Sequence, residues 1–85
     1  MNWPRERQTE LYDRQARKAY RRALRYFKDH QEEIIAAGRG RMLGSGFDRY
    51  GETVFQKTYT DLERDKLEEA ADLVVYTVVE IGKGW

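Results

Sequence analysis

The chain has no cysteine, one proline and one histidine in 85 residues, and it lacks any long apolar run. Without cysteine there is no disulfide to staple the fold. Crossing a bilayer as a helix takes about 20 apolar residues. Because a domain of this size buries only about 60% of its unfolded surface, oligomerisation is the ordinary device left to stabilise it. We therefore expect one cytoplasmic domain that forms a homo-oligomer and does not enter a membrane, since the N-terminus also lacks the apolar core of a secretory signal.

The one proline stands near the start of the first predicted helix. Asn2 can cap that helix, and no breaker follows until Gly38, so the pattern predicts a helix over residues 3–37. Apolar residues recur along it at spacings of three and four. They are Tyr12, Ala16, Ala19, Tyr20, Ala23, Phe27, His30 and Ile34, with Leu24 and Tyr26 at the margins. His30 in this stripe predicts a buried, hydrogen-bonded histidine, because a ligand or proton-transfer role would need a carboxylate partner.

A second helix is predicted over residues 60–81. Thr60 and Glu63 have the spacing of a capping box, and Gly82 suits the left-handed residue that closes a helix. Its apolar face comprises Leu67, Ala70, Ala71, Val74, Val78 and Ile81. The run of branched residues at 73–79 is also compatible with a buried strand, but no breaker separates it from the preceding helical pattern, so we favour a helix.

Glycine is concentrated between these helices, where residues 38–59 hold five of the seven glycines. A flexible connector is the favoured interpretation. The alternative is an anion-binding nest of backbone N–H groups with Arg39 and Arg41 beside it. Large apolar side chains at Phe47, Tyr50, Val54, Phe55 and Tyr59 predict that the segment folds over the helices, with one short extended stretch at 53–59. The fold class is therefore all-α: an antiparallel helical hairpin with a glycine-rich, aromatic connecting segment, assembling as a homo-oligomeric helical bundle.

The net charge of +1 conceals a separation of charge along the chain. Residues 1–28 hold nine Lys or Arg against three Asp or Glu, residues 29–60 four against five, and residues 61–85 three against seven. The polar side of the first helix is basic, and its candidate interaction residues are Arg14, Arg17, Lys18, Arg21 and Arg25. This stripe is a solvated face, a face that pairs with acidic residues of another helix, or a polyanion surface. Nucleic acid ranks lowest as a partner, because no aromatics are interleaved to stack bases.

Acidic residues form the matching stripe on the second helix. Asp65, Glu68, Glu69 and Asp72 lie on one side of it, and such hard oxygen ligands suit Mg²⁺. The alternatives are a solvated acidic face and an interface with a basic partner. Lys57, Arg39 and Arg41 are the candidate phosphate-binding residues.

The run from Tyr50 to Tyr76 resembles a segment of small phage-encoded proteins. Within it, Glu69-Ala-Ala-Asp72, with Glu68 beside it, is similar to the second carboxylate motif of the MazG-type all-α nucleotide pyrophosphohydrolases. That resemblance implies Mg²⁺ held by carboxylates, a bound nucleoside triphosphate, and a location in the host cytoplasm. The ExxE motif of that family does not occur in this chain, and its nearest substitute is Asp29-His30-Gln31-Glu32. The resemblance therefore leaves both a hydrolase and a non-catalytic nucleotide-sequestering protein open. A non-enzymatic accessory protein that binds a host protein is the other main hypothesis.

Overall fold

The computed structural model describes residues 3–44 and 53–85, which form three helices. These are α1 (Arg5–Asp29), α2 (Gln31–Leu43) and α3 (Tyr59–Lys83), and a single helical turn covers residues 53–55. No strand occurs in these two ranges. The all-α prediction is confirmed, including the helical assignment of the branched run at 73–79.

The first predicted helix is interrupted at His30 and continues beyond Gly38. His30 has φ −115° and ψ 26°, outside the helical region, although its N–H still donates to the Tyr26 carbonyl and its carbonyl accepts from Ile34. The predicted end at Gly38 was wrong, because α2 runs through Gly38 and Gly40 to Leu43. Neither glycine has a positive φ, and no side chain crowds either position. A glycine without a left-handed backbone is only a weak stop signal, costing about 1 kcal/mol relative to alanine.

The start of α3 lies two residues earlier than the predicted capping box. Thr58, rather than Thr60, is the N-cap, and its partner is Asp61 rather than Glu63. The Asp61 N–H donates to Thr58 Oγ1 at 3.1 Å, and the Thr58 N–H donates to Asp61 Oδ2 at 3.3 Å. The sequence offers the same spacing twice in succession, and the helix uses the earlier copy.

The other predicted features of this segment also need correction. Gly82 does not close the helix in a left-handed conformation, because α3 continues to Lys83 and none of the described glycines has a positive φ. The stretch predicted to be extended at 53–59 instead begins with a helical turn, in which Gln56 N–H donates to Thr53 O and Lys57 N–H to Val54 O, and only Thr58 before α3 is extended. The predicted packing of Phe47 and Tyr50 lies outside the described residues.

The core lies along the seam where α1 and α3 pack antiparallel. Leu11 near the start of α1 contacts Gly82 near the end of α3, which fixes the opposite directions of the two helices. The buried apolar side chains of the described chain are Leu11, Ala19, Ala23, Val78 and Ile81, with Trp3 and Val74 half-buried beside them. The alanines on α1 let the α3 backbone approach closely, since Ala19 is completely buried. This part of the predicted hairpin is confirmed.

Much of the predicted apolar stripe remains exposed beside this narrow seam. On α1, Tyr12, Tyr20 and Phe27 are exposed, and on α3, Leu67, Ala70 and Ala71 are exposed. Two helices share only one line of contact, so small residues fill the line and the larger side chains lie at its edges. The larger side chains of the stripe are therefore left at the surface of the described hairpin.

Candidate functional site

Two adjoining grooves run along one face of the α1–α3 hairpin, which we call the groove face. The first, of about 580 Å³, lies towards the chain termini and is lined by Tyr12, Val75 and Val79 among others. The second, of about 340 Å³, is lined by Tyr12, Ala16, Tyr20 and Val74, with Arg17 and Arg21 at its edge. Tyr12 belongs to both, so the two grooves form one continuous surface.

The walls of the groove face are apolar but exposed. The exposed fraction is 57% for Tyr20, 45% for Val75 and 47% for Val79. Tyr12, Ala16 and Tyr20 follow one another at four-residue spacing on α1, and Leu24, 54% exposed, continues the row. An exposed apolar row of this length is typical of a surface that contacts another protein.

Opposite charges border the groove face on its two helices. Arg17 and Arg21 flank it on α1. On α3, Glu68 and Asp72 stand seven residues before Val75 and Val79, and seven residues return a helix to nearly the same direction. Glu68 and Asp72 therefore extend the same wall towards the start of α3. All four charged side chains belong to exposed residues, and none has an ion-pair partner within residues 3–44 and 53–85.

The opposite face of the hairpin is polar. Lys18 and Arg22 follow Arg17 and Arg21 by one residue each, which turns them about 100° further round α1, away from the groove face. On α3 that side carries Lys66, whose Nζ lies 2.6 Å from Glu63 Oε1. Exposed apolar side chains also occur outside the groove face, among them Leu67 and Tyr76 on α3, but these two line neither groove.

Of the residues predicted to bind a metal, Asp65 already has a partner within the chain. Its Oδ2 lies 2.5 Å from Lys57 Nζ, and this hydrogen bond and the negative charge of Asp65 raise the pKa of Lys57 above its ordinary value. Glu68, Glu69 and Asp72 are exposed on α3. In the described parts of the chain, no three His, Cys, Asp or Glu side chains are grouped so as to hold a metal ion. The Mg²⁺ site stays a prediction.

The structure does not bring the predicted phosphate-binding residues together. Lys57 pairs with Asp65, whereas Arg39 and Arg41 lie on α2, which has no packing contact with α3 in the described chain. Residues 38–43 are helical, so their backbone N–H groups do not form the nest that the glycine spacing allowed. Gly46 lies outside the described residues.

The predicted basic interaction surface is divided by local ion pairs. Arg14 pairs with Glu10 at 2.9 Å and Arg25 with Asp29 at 3.7 Å, both one turn apart on α1. Arg17, Lys18 and Arg21, in the middle of the stripe, have no such partner among the described residues. Of the five residues predicted for this surface, the three without an ion pair in the described chain therefore lie together in the centre of α1.

His30 lies at the junction of α1 and α2, where it is half-buried rather than buried as predicted. Its Nδ1 donates to the Tyr26 carbonyl at 3.0 Å, and its ring stacks on that of Tyr26 with centroids 4.0 Å apart. The predicted hydrogen bond is confirmed, and its role is to support the break between the helices.

Two features of the hairpin were not predicted from the sequence. Leu11 falls outside the predicted stripe by helical phase, yet it is buried against Gly82. Gly82 was interpreted as a terminator, whereas its missing side chain makes room for Leu11. The sequence did contain one signal for this contact, because Gly82 is a small residue on the same side of α3 as Val78.

Comparison of this chain with protein-family models, curated proteins and solved structures found no match. Across residues 3–44 and 53–85, no helix is both long enough and apolar enough to traverse a membrane. The functional proposal below therefore depends on the geometry of the chain itself.

Proposed function

We propose that this chain is a non-enzymatic helical protein that acts by association, and that its working form is a homo-oligomeric helical bundle. The observation that carries this proposal is the groove face, where Tyr12, Tyr20, Val75 and Val79 line one continuous exposed surface. Side chains of this size gain free energy when a partner removes them from water.

The accessible surface of the chain supports this proposal. It amounts to 7745 Å², whereas a compact monomer of the same mass exposes about 5,300 Å². The excess is larger than the roughly 800 Å² that each partner contributes to a stable interface. The exposed side chains of the groove face, such as Tyr20 and Val79, are part of this excess surface.

The electrostatics of the described residues point the same way. Hydrogen bonds near the start of α3 raise the pKa of Lys57 and lower the pKa of Asp61, and neither group lies on the groove face. Catalytic groups are commonly those whose pKa values are perturbed inside a cleft. The groove face has apolar walls and exposed charges at its edges, which is the pattern of a contact surface with a polar rim.

The test is the molar mass of the purified chain, by sedimentation velocity and light scattering between 1 and 100 µM. We expect a multiple of the 10.1 kDa chain mass. The variant Tyr20→Glu with Val79→Glu should shift towards the monomer, because it places charges in the groove. Phe55→Glu with Tyr59→Glu is the matched control, since these residues are 76% and 90% exposed and line neither groove. A helical wild-type monomer over the whole range would refute the proposal.

Nucleotide binding is the second candidate function, and a different observation supports it. Glu68, Glu69 and Asp72 lie within little more than one turn of α3, exposed and without an ion-pair partner in the described chain. Carboxylates in this arrangement can share a Mg²⁺ ion with the phosphates of a nucleotide. Binding of a host protein or of a polyanion through α1 stays a prediction of the sequence.

A further inference from the structure

The two helices of the groove face carry opposite charges beside the same apolar surface. We propose that a second copy of this chain seats on the groove face with its α1 packed along α3 of the first copy. Arg17 and Arg21 of each protomer then meet the partner's Glu68 and Asp72 at the rim. This inference rests on the proposed function, because it assigns the surface through which the chain associates with itself.

The register of the hairpin brings these charges to the same level. Leu11 lies against Gly82. Ten residues further along α1 is Arg21, and ten residues back along α3 is Asp72. At about 1.5 Å per residue, both lie roughly 15 Å from the Leu11–Gly82 contact in the same direction. Arg21 and Asp72 are therefore level with each other across the antiparallel pair.

A two-fold axis parallel to the helices preserves these levels between protomers. It places α1 of one protomer over α3 of the other, so Arg21 comes level with the partner's Asp72. Arg17 and the partner's Glu68 lie one turn from that level on opposite sides, so Arg17 is offset by about 6 Å along the helix axis from the partner's Asp72, and Arg21 by about 6 Å from the partner's Glu68. Arginine side chains span such offsets, and their planar groups can bind carboxylates with two hydrogen bonds.

Two other arrangements of the second copy are less favourable, because one places like charges together and the other buries charges while apolar side chains stay exposed. A two-fold axis perpendicular to the helices and level with residues 17–21 would place α1 against α1, so that Arg17 and Arg21 faced the same arginines of the partner. Juxtaposed like charges disfavour an interface. Docking through the opposite face would bury Lys18 and Arg22, whereas the apolar row of Tyr12, Ala16 and Tyr20 would stay in water.

Apolar contact accompanies the charge pairing in the proposed arrangement. Tyr20 and Leu24 of one protomer lie over the half of α3 that the intrachain seam leaves open. That part of α3 exposes Ala71 and Val75. A core of alternating aromatic and small residues between four helices is the packing that helical bundles use. The charges at the edges then select this arrangement over the others.

Charge reversal tests the proposed interface directly. The variants Arg17→Glu with Arg21→Glu, and Glu68→Lys with Asp72→Lys, should each self-associate at least tenfold more weakly than the wild type. A 1:1 mixture of the two should form a heterodimer near wild-type affinity, because every reversed pair is again opposite in sign. A single chain carrying all four reversals should self-associate like the wild type.

The matched control is Lys18→Glu with Arg22→Glu, which makes the same change of charge on the same helix and should leave association unchanged. Far-ultraviolet circular dichroism establishes that each variant retains its helices. If the wild type is oligomeric but neither the Arg17 and Arg21 reversal nor the Lys18 and Arg22 reversal weakens self-association, the proposed interface is overturned. The proposed function would still stand. A monomeric wild type would overturn both.

Discussion

The Leu11 side chain packs directly on the backbone of Gly82. A β-carbon added to Gly82 would lie 2.7 Å from Leu11 Cδ2 and 3.6 Å from Trp3 Cζ2. Gly82 is helical and has no left-handed backbone, so its function is close approach rather than chain reversal. This contact anchors the open end of the hairpin, where the first and last residues of the two helices meet.

Replacing Gly82 by alanine should therefore lower stability, although alanine favours a helix by about 1 kcal/mol relative to glycine. Leu11 is buried, and its Cδ2 must shift to admit the added β-carbon, a kind of overpacking that typically costs about 1–3 kcal/mol. Gly38→Ala is the matched comparison, because nothing lies within 4 Å of its added β-carbon. Thermal unfolding should show a lower midpoint for Gly82→Ala and a higher one for Gly38→Ala. Equal stabilisation by both substitutions would show that Leu11 does not constrain the site.

The sequence predicted the helices well because their signals are local. Spacings of three and four residues identified the apolar side of α1, and uninterrupted helical residues before Leu73 identified the branched run as helix. Their boundaries were less accurate, since the terminating effect of glycine depends on its backbone conformation. At Gly38, Gly40 and Gly82 a helical conformation prevailed, and at 58–63 the sequence contained two capping patterns of equal quality.

The candidate site was less predictable because it depends on which apolar residues the seam leaves uncovered. The sequence placed Ala19 and Tyr20 in one stripe, but only the packing of α3 separates the buried alanine from the exposed tyrosine. Similarly, the sequence allowed the carboxyl of Asp65 either to bind a metal or to pair with Lys57. The distance between the Asp65 and Lys57 side chains is what assigns it to Lys57. The opposite charges of α1 and α3 were visible in the sequence, whereas their common level followed from the Leu11–Gly82 contact.

The cap of α3 gives a second prediction. Thr58→Ala should destabilise the protein by about 1 kcal/mol, the usual cost of losing a threonine cap. Thr60→Ala should have little effect, because Thr60 lies inside the helix and does not cap it. Chemical denaturation at pH 7 measures both variants. A larger loss for Thr60→Ala would support the later capping box instead.

This cap also makes stability depend on pH. Hydrogen bonds from the side chain and the backbone N–H of Thr58 lower the pKa of Asp61 below its ordinary value of 3.8. A depressed carboxyl pKa contributes stability above the unfolded value, and this contribution is lost as the pH falls through the folded value. The difference in stability between the wild type and Asp61→Asn should therefore be constant above pH 5 and shrink below pH 3.8. A difference that persisted unchanged at pH 2 would contradict this role of Asp61.

The ion pair between Lys57 and Asp65 predicts the opposite pH dependence. Because Asp65 raises the pKa of Lys57 above 10.5, the pair stabilises the fold fully below that pH and loses its contribution as the pH rises through the folded value. The effect should be small, since both side chains are partly exposed and in contact with solvent. The midpoint of thermal unfolding should differ between the wild type and Lys57→Met at pH 7, and the two should converge above pH 10.5. Parallel profiles would indicate that Lys57 acts through packing alone.

Glu69 separates the nucleotide hypothesis from the proposed self-association. Its carboxylate belongs to the candidate metal ligands but not to the charges assigned to the dimer rim, which are Glu68 and Asp72. If the chain binds a nucleotide through Mg²⁺, Glu69→Ala should reduce Mg²⁺-dependent binding at least tenfold and leave the oligomer unchanged. Glu63→Ala is the control, because Glu63 already pairs with Lys66.

The measurement is depletion of ribo- and deoxyribonucleoside triphosphates, cyclic nucleotides and dinucleotides by the protein, with chromatography of the filtrate. Monophosphate and pyrophosphate in the filtrate would indicate hydrolysis, depletion of one intact nucleotide would indicate sequestration, and an unchanged panel would refute the nucleotide hypothesis.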